Sequence, residues 1–157
     1  MQLSVPDKVC DLSLTRMLSA PPSLVWAAFT QPRHLMRWWA PEPLRLETCE
    51  VELCAGGGFH TLMRSPAGER FDDLACFLEV APHERLVWTD ALQPGMRPAA
   101  AAGKTTGLAL QPRGTGSEIC LTVLWPDPET KASQDAIIYE FGLGRSLDQL
   151  VAYALTL

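Results

Sequence analysis

"SQDAIIYEFGLGRSLDQLVAYAL", residues 133–155, is the one stretch of this sequence with the length and periodicity of a long helix. Ser133 is placed to act as its N-cap. Asp135 and Glu140 lie towards the N-terminal half, where the helix dipole favours anions. Tyr139, Leu143, Leu147, Leu150, Val151 and Ala154 form an apolar stripe wide enough to lie on a sheet. Gly142 and Gly144 each cost ~1 kcal/mol relative to Ala inside a helix. They therefore predict a close backbone approach, or a kink, where the helix crosses another segment.

Upstream of this helix the texture is that of strands. "LRLETCEVEL" (44–53) and "FHTLMR" (59–64) alternate on either side of the break "AGGG", and "SPAG" (65–68) makes the next turn. "FDDLACFLEV" (71–80), "RLVWTDAL" (85–92), "KTTGLALQP" (104–112) and "SEICLTVLW" (117–125) continue as short strands. Links this short make sequential strands hairpin neighbours in an antiparallel meander. "QPGMRPAAAAG" (93–103) reads as a mobile loop, with one helical turn in the alanine run as the alternative.

Near the N-terminus, "CDLSLT" (10–15) places Leu12 and Leu14 on one face of a half-buried strand. "APPSLVWAAFTQP" follows as a short helix, with Pro22 in its first turn and Pro32 beyond its end. In "PRHLMRWW" Leu35, Trp38 and Trp39 share one helical face, and Pro41 and Pro43 stop the helix. The order is strand, two short helices, about six strands, long helix. A meander of that size curls and takes the final helix into its concave side, an α+β arrangement. Residues 1–8 read as a tail and residues 9–157 as a single domain.

Composition narrows the partners. The chain has 157 residues, 47% hydrophobic and 20% charged, with a formal net charge of -5. Scattered Lys and Arg give no basic face for nucleic acid or for an anionic membrane surface. The first ten residues lack the basic start and apolar run of a signal peptide, and no stretch approaches the ~20 apolar residues that span a bilayer. Five cysteines without CxxC spacing read as small core hydrophobes in a reducing cytoplasm, with a Cys49–Cys54 pair as the alternative.

Four stretches carry a family resemblance: "TRMLSAPPSLVWAAFTQPRHLMRWWAP", "AGGGFHTLMRSPAGE", "FLEVAPHERLVWTD" and "GLGRSLDQL". In order and spacing, from about residue 12 to the C-terminus, the chain resembles the START-like helix-grip superfamily. The branch it resembles is similar to the C-terminal domain of the activator of the ninety-kilodalton heat-shock-protein ATPase. The resemblance implies a curved antiparallel sheet of about seven strands wrapped around the long C-terminal helix. It also implies a cavity between them, which in various branches holds sterols, lipids, plant hormones or polyketides. Leu143 stands where the family commonly has Trp between two glycines, and Ile138 where Gly is usual, so a relative's ligand does not transfer.

Within that frame, candidate cavity walls follow from strand parity. Phe59, Thr61 and Met63 share a face, as do Phe71, Asp73 and Phe77, and as do Trp88 and Asp90. Tyr139, Leu143 and Leu147 would face them from the helix. Trp38 and Trp39 diverge by about 100°; one can pack under the sheet edge while the other faces the pocket entrance, or both can be core. Such walls, apolar with a few polar atoms, suit a small apolar or amphipathic molecule.

Chemistry is less legible. Asp72 and Asp73 point to opposite faces and make no general acid–base pair. One of them is either a buried carboxylate with a raised pKa or part of a solvated strand end. Asp90, near a strand end, is also suited to forming a turn. His34, His60 and His83 are too dispersed to hold a metal, and the parity of His60 opposes Phe59 and Met63. "AGGG" lacks the following Lys-Ser/Thr of a phosphate loop, and no GxSxG is present. The expectation is a ligand-binding protein, monomer or homodimer, without cofactor, metal or assigned catalytic residue. A cyclase- or hydrolase-like enzyme using Asp73, Asp90, His60 or Tyr139 is the second reading, and a chaperone-interaction protein the third.

Overall fold

Apolar alternation becomes strand wherever the sequence shows it. The computed structural model describes Leu3, Asp7, residues 9–101 and residues 103–157. The rest of the proposed 1–8 tail lies outside the described residues. In chain order the elements begin with β1 (Asp11–Leu18), α1 (Pro22–Thr30) and α2 (Pro32–Trp38). The meander follows as β2 (Arg45–Val51), β3 (Gly58–Arg64), β4 (Arg70–Ala81) and β5 (Arg85–Thr89). A small ribbon, β6 (Leu92–Gln93) with β7 (Arg97–Pro98), precedes β8 (Thr105–Arg113) and β9 (Gly116–Leu124). The chain closes with α3 (Pro128–Ser133) and α4 (Ala136–Ala154).

Seven strands form one antiparallel sheet in the order β1-β9-β8-β5-β4-β3-β2. The hairpin links expected from β2 to β9 are present, and β1 completes the sheet against β9. Register shifts between Leu46 and Thr48 and between Phe77 and Glu79 are bulges, which bend and twist strands and help the sheet curl. α4 lies in the concave side, with Leu147 and Leu150 fully buried. At "AGGG" the turn is obligatory. Gly56 has φ +86°, and a Cβ on Gly57 would stand 2.0 Å from the Glu52 carbonyl oxygen.

Three expectations need correction. The helix does not start at Ser133. Asp127 caps α3, accepting a hydrogen bond from the Thr130 amide at 2.7 Å, and Pro128 sets the first turn. Asp135, in the left-handed region at φ +50°, then breaks the chain before α4. The indole of Trp125 pins this corner by donating to Gln134 Oε1 at 2.9 Å. Residues 93–103 are not wholly an irregular loop, because Gly95 and Met96, both at positive φ, turn the β6–β7 ribbon. Nor are the cysteines all core. All five are free, Cys76 alone is fully buried and Cys54 is exposed.

The close backbone approach expected at the α4 glycines is not found, since a Cβ on either would meet only a side-chain atom at ordinary van der Waals distance. Pro41 Cγ lies 3.6 Å from a Cβ built on Gly142, and an Arg16 guanidinium nitrogen lies 3.6 Å from one built on Gly144. Arg16 also pairs with Asp148 at 2.8 Å, tying β1 to the helix.

Candidate functional site: the concave face of the sheet

The two adjacent tryptophans part company as helical geometry requires. Trp38 is 1% exposed, packs edge-on against Phe29 at 4.9 Å and donates its indole N–H to the Ala28 carbonyl at 2.9 Å. It belongs to the core that seats α2 on α1. Trp39 is only partly buried and turns towards the sheet, 5.4 Å from Phe59 and 6.2 Å from Trp88 between ring centroids. Phe59 in turn stacks on Phe77 at 5.5 Å and meets Trp88 edge-on at 5.7 Å. Four rings, from Trp39 just past α2 and from β3, β4 and β5, thus form one aromatic floor.

Cross-strand register extends this concave face. Phe59 faces Ala75, Thr61 faces Asp73 and Met63 faces Phe71. Thr61 is buried and Met63 partly buried. Phe71, however, is 44% exposed, and Asp73 is also exposed although it shares that inner face. The end of the concave face formed by residues 71–73 is therefore open to solvent. Leu143 and Tyr139 lie partly buried on the helix, packed against Leu12, Val123 and Trp125, whereas Leu147 has no exposed surface and belongs to the main core.

A polar cluster stands beside the open end. Asp90 closes the β5–β8 connection. Its carboxylate accepts from the Lys104 backbone amide at 2.6 Å and from the Lys104 ammonium at 3.0 Å. The expected turn role of Asp90 is thus realised as a clamp across residues 90–104. The Lys104 ammonium also lies 5.1 Å from the Tyr139 ring centroid, and the Tyr139 and Thr106 hydroxyls share a hydrogen bond. Trp125 packs edge-on to Tyr139 at 5.8 Å.

Electrostatics in the cluster follow from its partial enclosure. Burial raises the Asp73 carboxyl above its ordinary range; Lys104 opposes the shift, and Asp90 and Asp72 reinforce it. Asp73 thus keeps solvent contact while enough protein surrounds it to disfavour its charge, the condition of a side chain in a concave wall. Burial works against the Lys104 charge too, but the oxygens of Tyr139, Asp90 and Asp73 outweigh it, and the ammonium titrates higher than usual. The Tyr139 phenol is also raised, first by burial. The cluster offers the Asp90–Lys104 ion pair, a phenol whose burial disfavours its charge, and a carboxyl that holds its proton more tightly than usual.

His60 takes no part in this cluster. It lies on the outward face of β3, with Nε2 2.6 Å from Asp72 Oδ1 and Nδ1 3.7 Å from a Glu50 oxygen. Lys104 and Thr106 were missed by the sequence reading. The parity that puts Leu108 and Leu110 inside extends to both and would have found them. Also missed were Ser146, which donates to the Trp39 carbonyl at 2.7 Å, and Gln149, which donates to the carbonyls of Trp38 and Ala40. These bonds hold Trp39 in place under the helix.

A curled seven-stranded antiparallel sheet gripping a C-terminal helix, with two short helices after the first strand, defines a START-like helix-grip protein. The family model described as Activator of Hsp90 ATPase homolog 1-like protein matches residues 19–154. The chain belongs to that family. A Nitrosomonas europaea protein of known crystal structure is 35% identical, with a TM-score of 0.87 over 94% of this chain and 95% of that one. A Chromobacterium violaceum protein is 28% identical, with a TM-score of 0.73 over 91% and 96% of the two chains. A Silicibacter pomeroyi protein of the same family name shares the fold at 21% identity, with a TM-score of 0.73 over 93% and 98%. The comparison with curated proteins gives no match. Among the described residues no helix is long and apolar enough to cross a membrane.

Proposed function

We propose that the protein binds a small amphipathic molecule in the cleft between sheet and α4. Its apolar body lies against Trp39, Phe59 and Trp88, and its polar head reaches Asp73, Lys104 and Tyr139. The observation that carries this reading is the solvent access of Phe71 and Asp73 on a concave face otherwise closed by core packing. A ligand entering there would cover aromatic surface and meet hydrogen-bonding groups at one end, the usual make-up of a small-molecule site. Removing a few hundred Å² of apolar surface from water, at ~25 cal/mol per Å², supports roughly micromolar affinity after association costs.

The test is a titration followed by tryptophan emission, since Trp39 and Trp88 stand in the wall. Medium-chain alcohols and alkanes of equal length serve as probes. Saturable quenching is expected, tighter for the alcohol, with the preference for the alcohol reduced in Asp73→Ala. Absence of saturable binding by either probe would refute the proposal.

A further inference from the structure

A second concavity lies on the other side of the α2–α4 contact. It is an open groove of about 1140 Å³ bounded by α2, the 40–44 connection, the ends of β2 and β3, and the outer face of α4. The strip of chain from Trp38 to Ala40 is hydrogen-bonded to Gln149 and Ser146 and separates the groove from the cleft. The groove's charges are distinctive in a chain whose net charge is -5. Arg37 comes from α2, Arg45 and Arg64 from β2 and β3, and Arg145 from α4.

Arg64 is neutralised by Glu47, which stands at the β2 bulge. Arg37 lies with its guanidinium 5.5 Å from the Tyr153 ring centroid, a contact that leaves its charge uncompensated. Among the described residues, Arg45 and Arg145 have no ion-pair partner, and both side chains are exposed. Glu42 is the other acidic residue in the lining, so three uncompensated guanidinium groups face one carboxylate. Register adds a second point. Arg45 and Arg64 are direct cross-strand partners, a like-charge pairing that Glu47 relieves on the Arg64 side alone.

We infer that this groove is a second binding site, for a small organic anion carrying several phosphate or carboxylate oxygens. Guanidinium forks from separate elements match such oxygens in paired hydrogen bonds, which a lone surface cation does not provide. Apolar side chains of the lining, Met36 and Leu44 among them, would take the carbon skeleton.

Titration of isotope-labelled protein at constant ionic strength, followed by amide resonances, tests this. Inorganic pyrophosphate is the phosphate arm and citrate the carboxylate arm, and their relative affinities identify which chemistry the site prefers. At least one should give saturable shifts centred on residues 36–47, 64–66 and 145–152. The double variant R45E/R145E should fold as wild type and bind at least about tenfold more weakly, since two attractive charges become repulsive. Asp73→Asn, in the cleft, should bind these anions as wild type, so failure here leaves the amphipath site standing. If neither anion gives saturable shifts in the groove, or R45E/R145E binds as wild type does, the inference is wrong.

Discussion

Asp73 stands opposite Thr61 on the concave face of the sheet and is exposed to solvent. Parity groups it with Phe71 and Phe77, but does not say which face turns inward, because Leu62 and Leu74 make the opposite face apolar as well. In the fold Leu74 is 43% exposed on the outside, while Asp73 looks into the open end of the grip. Its carboxyl is raised by burial first, so the folded state holds the proton more tightly than the unfolded chain does. Stability linked to Asp73 is therefore complete below its ordinary value near 3.8 and is lost as pH rises through the elevated folded value. Asp73→Asn removes that loss. Relative to wild type the variant should gain stability at pH 7 compared with pH 3, measured by urea unfolding at both. A difference independent of pH would show that the carboxyl is solvated after all.

At the scale of elements, α4 decides how the sheet is closed. Its apolar stripe was readable from Tyr139 to Ala154 because burial on one helical face imposes a 3.6-residue period. Its start was not readable. The Ser133 reading failed because Asp127 and Pro128 begin a separate turn and the Trp125–Gln134 hydrogen bond fixes the corner between the two helices, a contact with no sequence signature. Leu147 is fully buried against the sheet, so Leu147→Asp should destabilise by at least ~3 kcal/mol, the range of an unpaired polar group in a core. Wild-type-like melting of that variant would mean that the helix face is misassigned.

Gln149 makes a different prediction for the same helix. Its amide donates to the carbonyls of Trp38 and Ala40 and accepts from the Glu42 amide at 2.8 Å. Gln149→Ala leaves three backbone groups without that partner, at a cost of about 2 kcal/mol. It should also loosen the placement of Trp39, seen as altered near-ultraviolet dichroism below the melting transition. An unchanged stability and spectrum would show that water replaces the side chain without loss.

At the scale of the whole molecule, the meander was legible because each short link forces its strands to be neighbours. The pairing of β1 with β9 was not, since it joins residues 99 to 113 positions apart with nothing local to announce it. The β6–β7 ribbon was hidden for a related reason. Its shape depends on the Asp90–Lys104 clamp and on Gly95 donating to the Gly56 carbonyl at 2.8 Å, both contacts made between segments. The open end of the grip emerges only once sheet curl and helix position are both set, so the candidate site was legible as a set of faces but not as a place.

A binding protein of this kind requires that the open end admit a ligand. The most direct measurement is a size series of apolar and amphipathic probes titrated against wild type and Leu143→Trp, read by the emission of Trp39 and Trp88. Leu143 lies partly buried on α4, and on the proposed reading an indole there would reduce the space open to a ligand. Wild type should bind saturably across the series, and Leu143→Trp should lose affinity for the largest probes while retaining the smallest. Equal affinities in the two proteins, or no saturable binding in either, would contradict the account and leave the four aromatic rings as core alone.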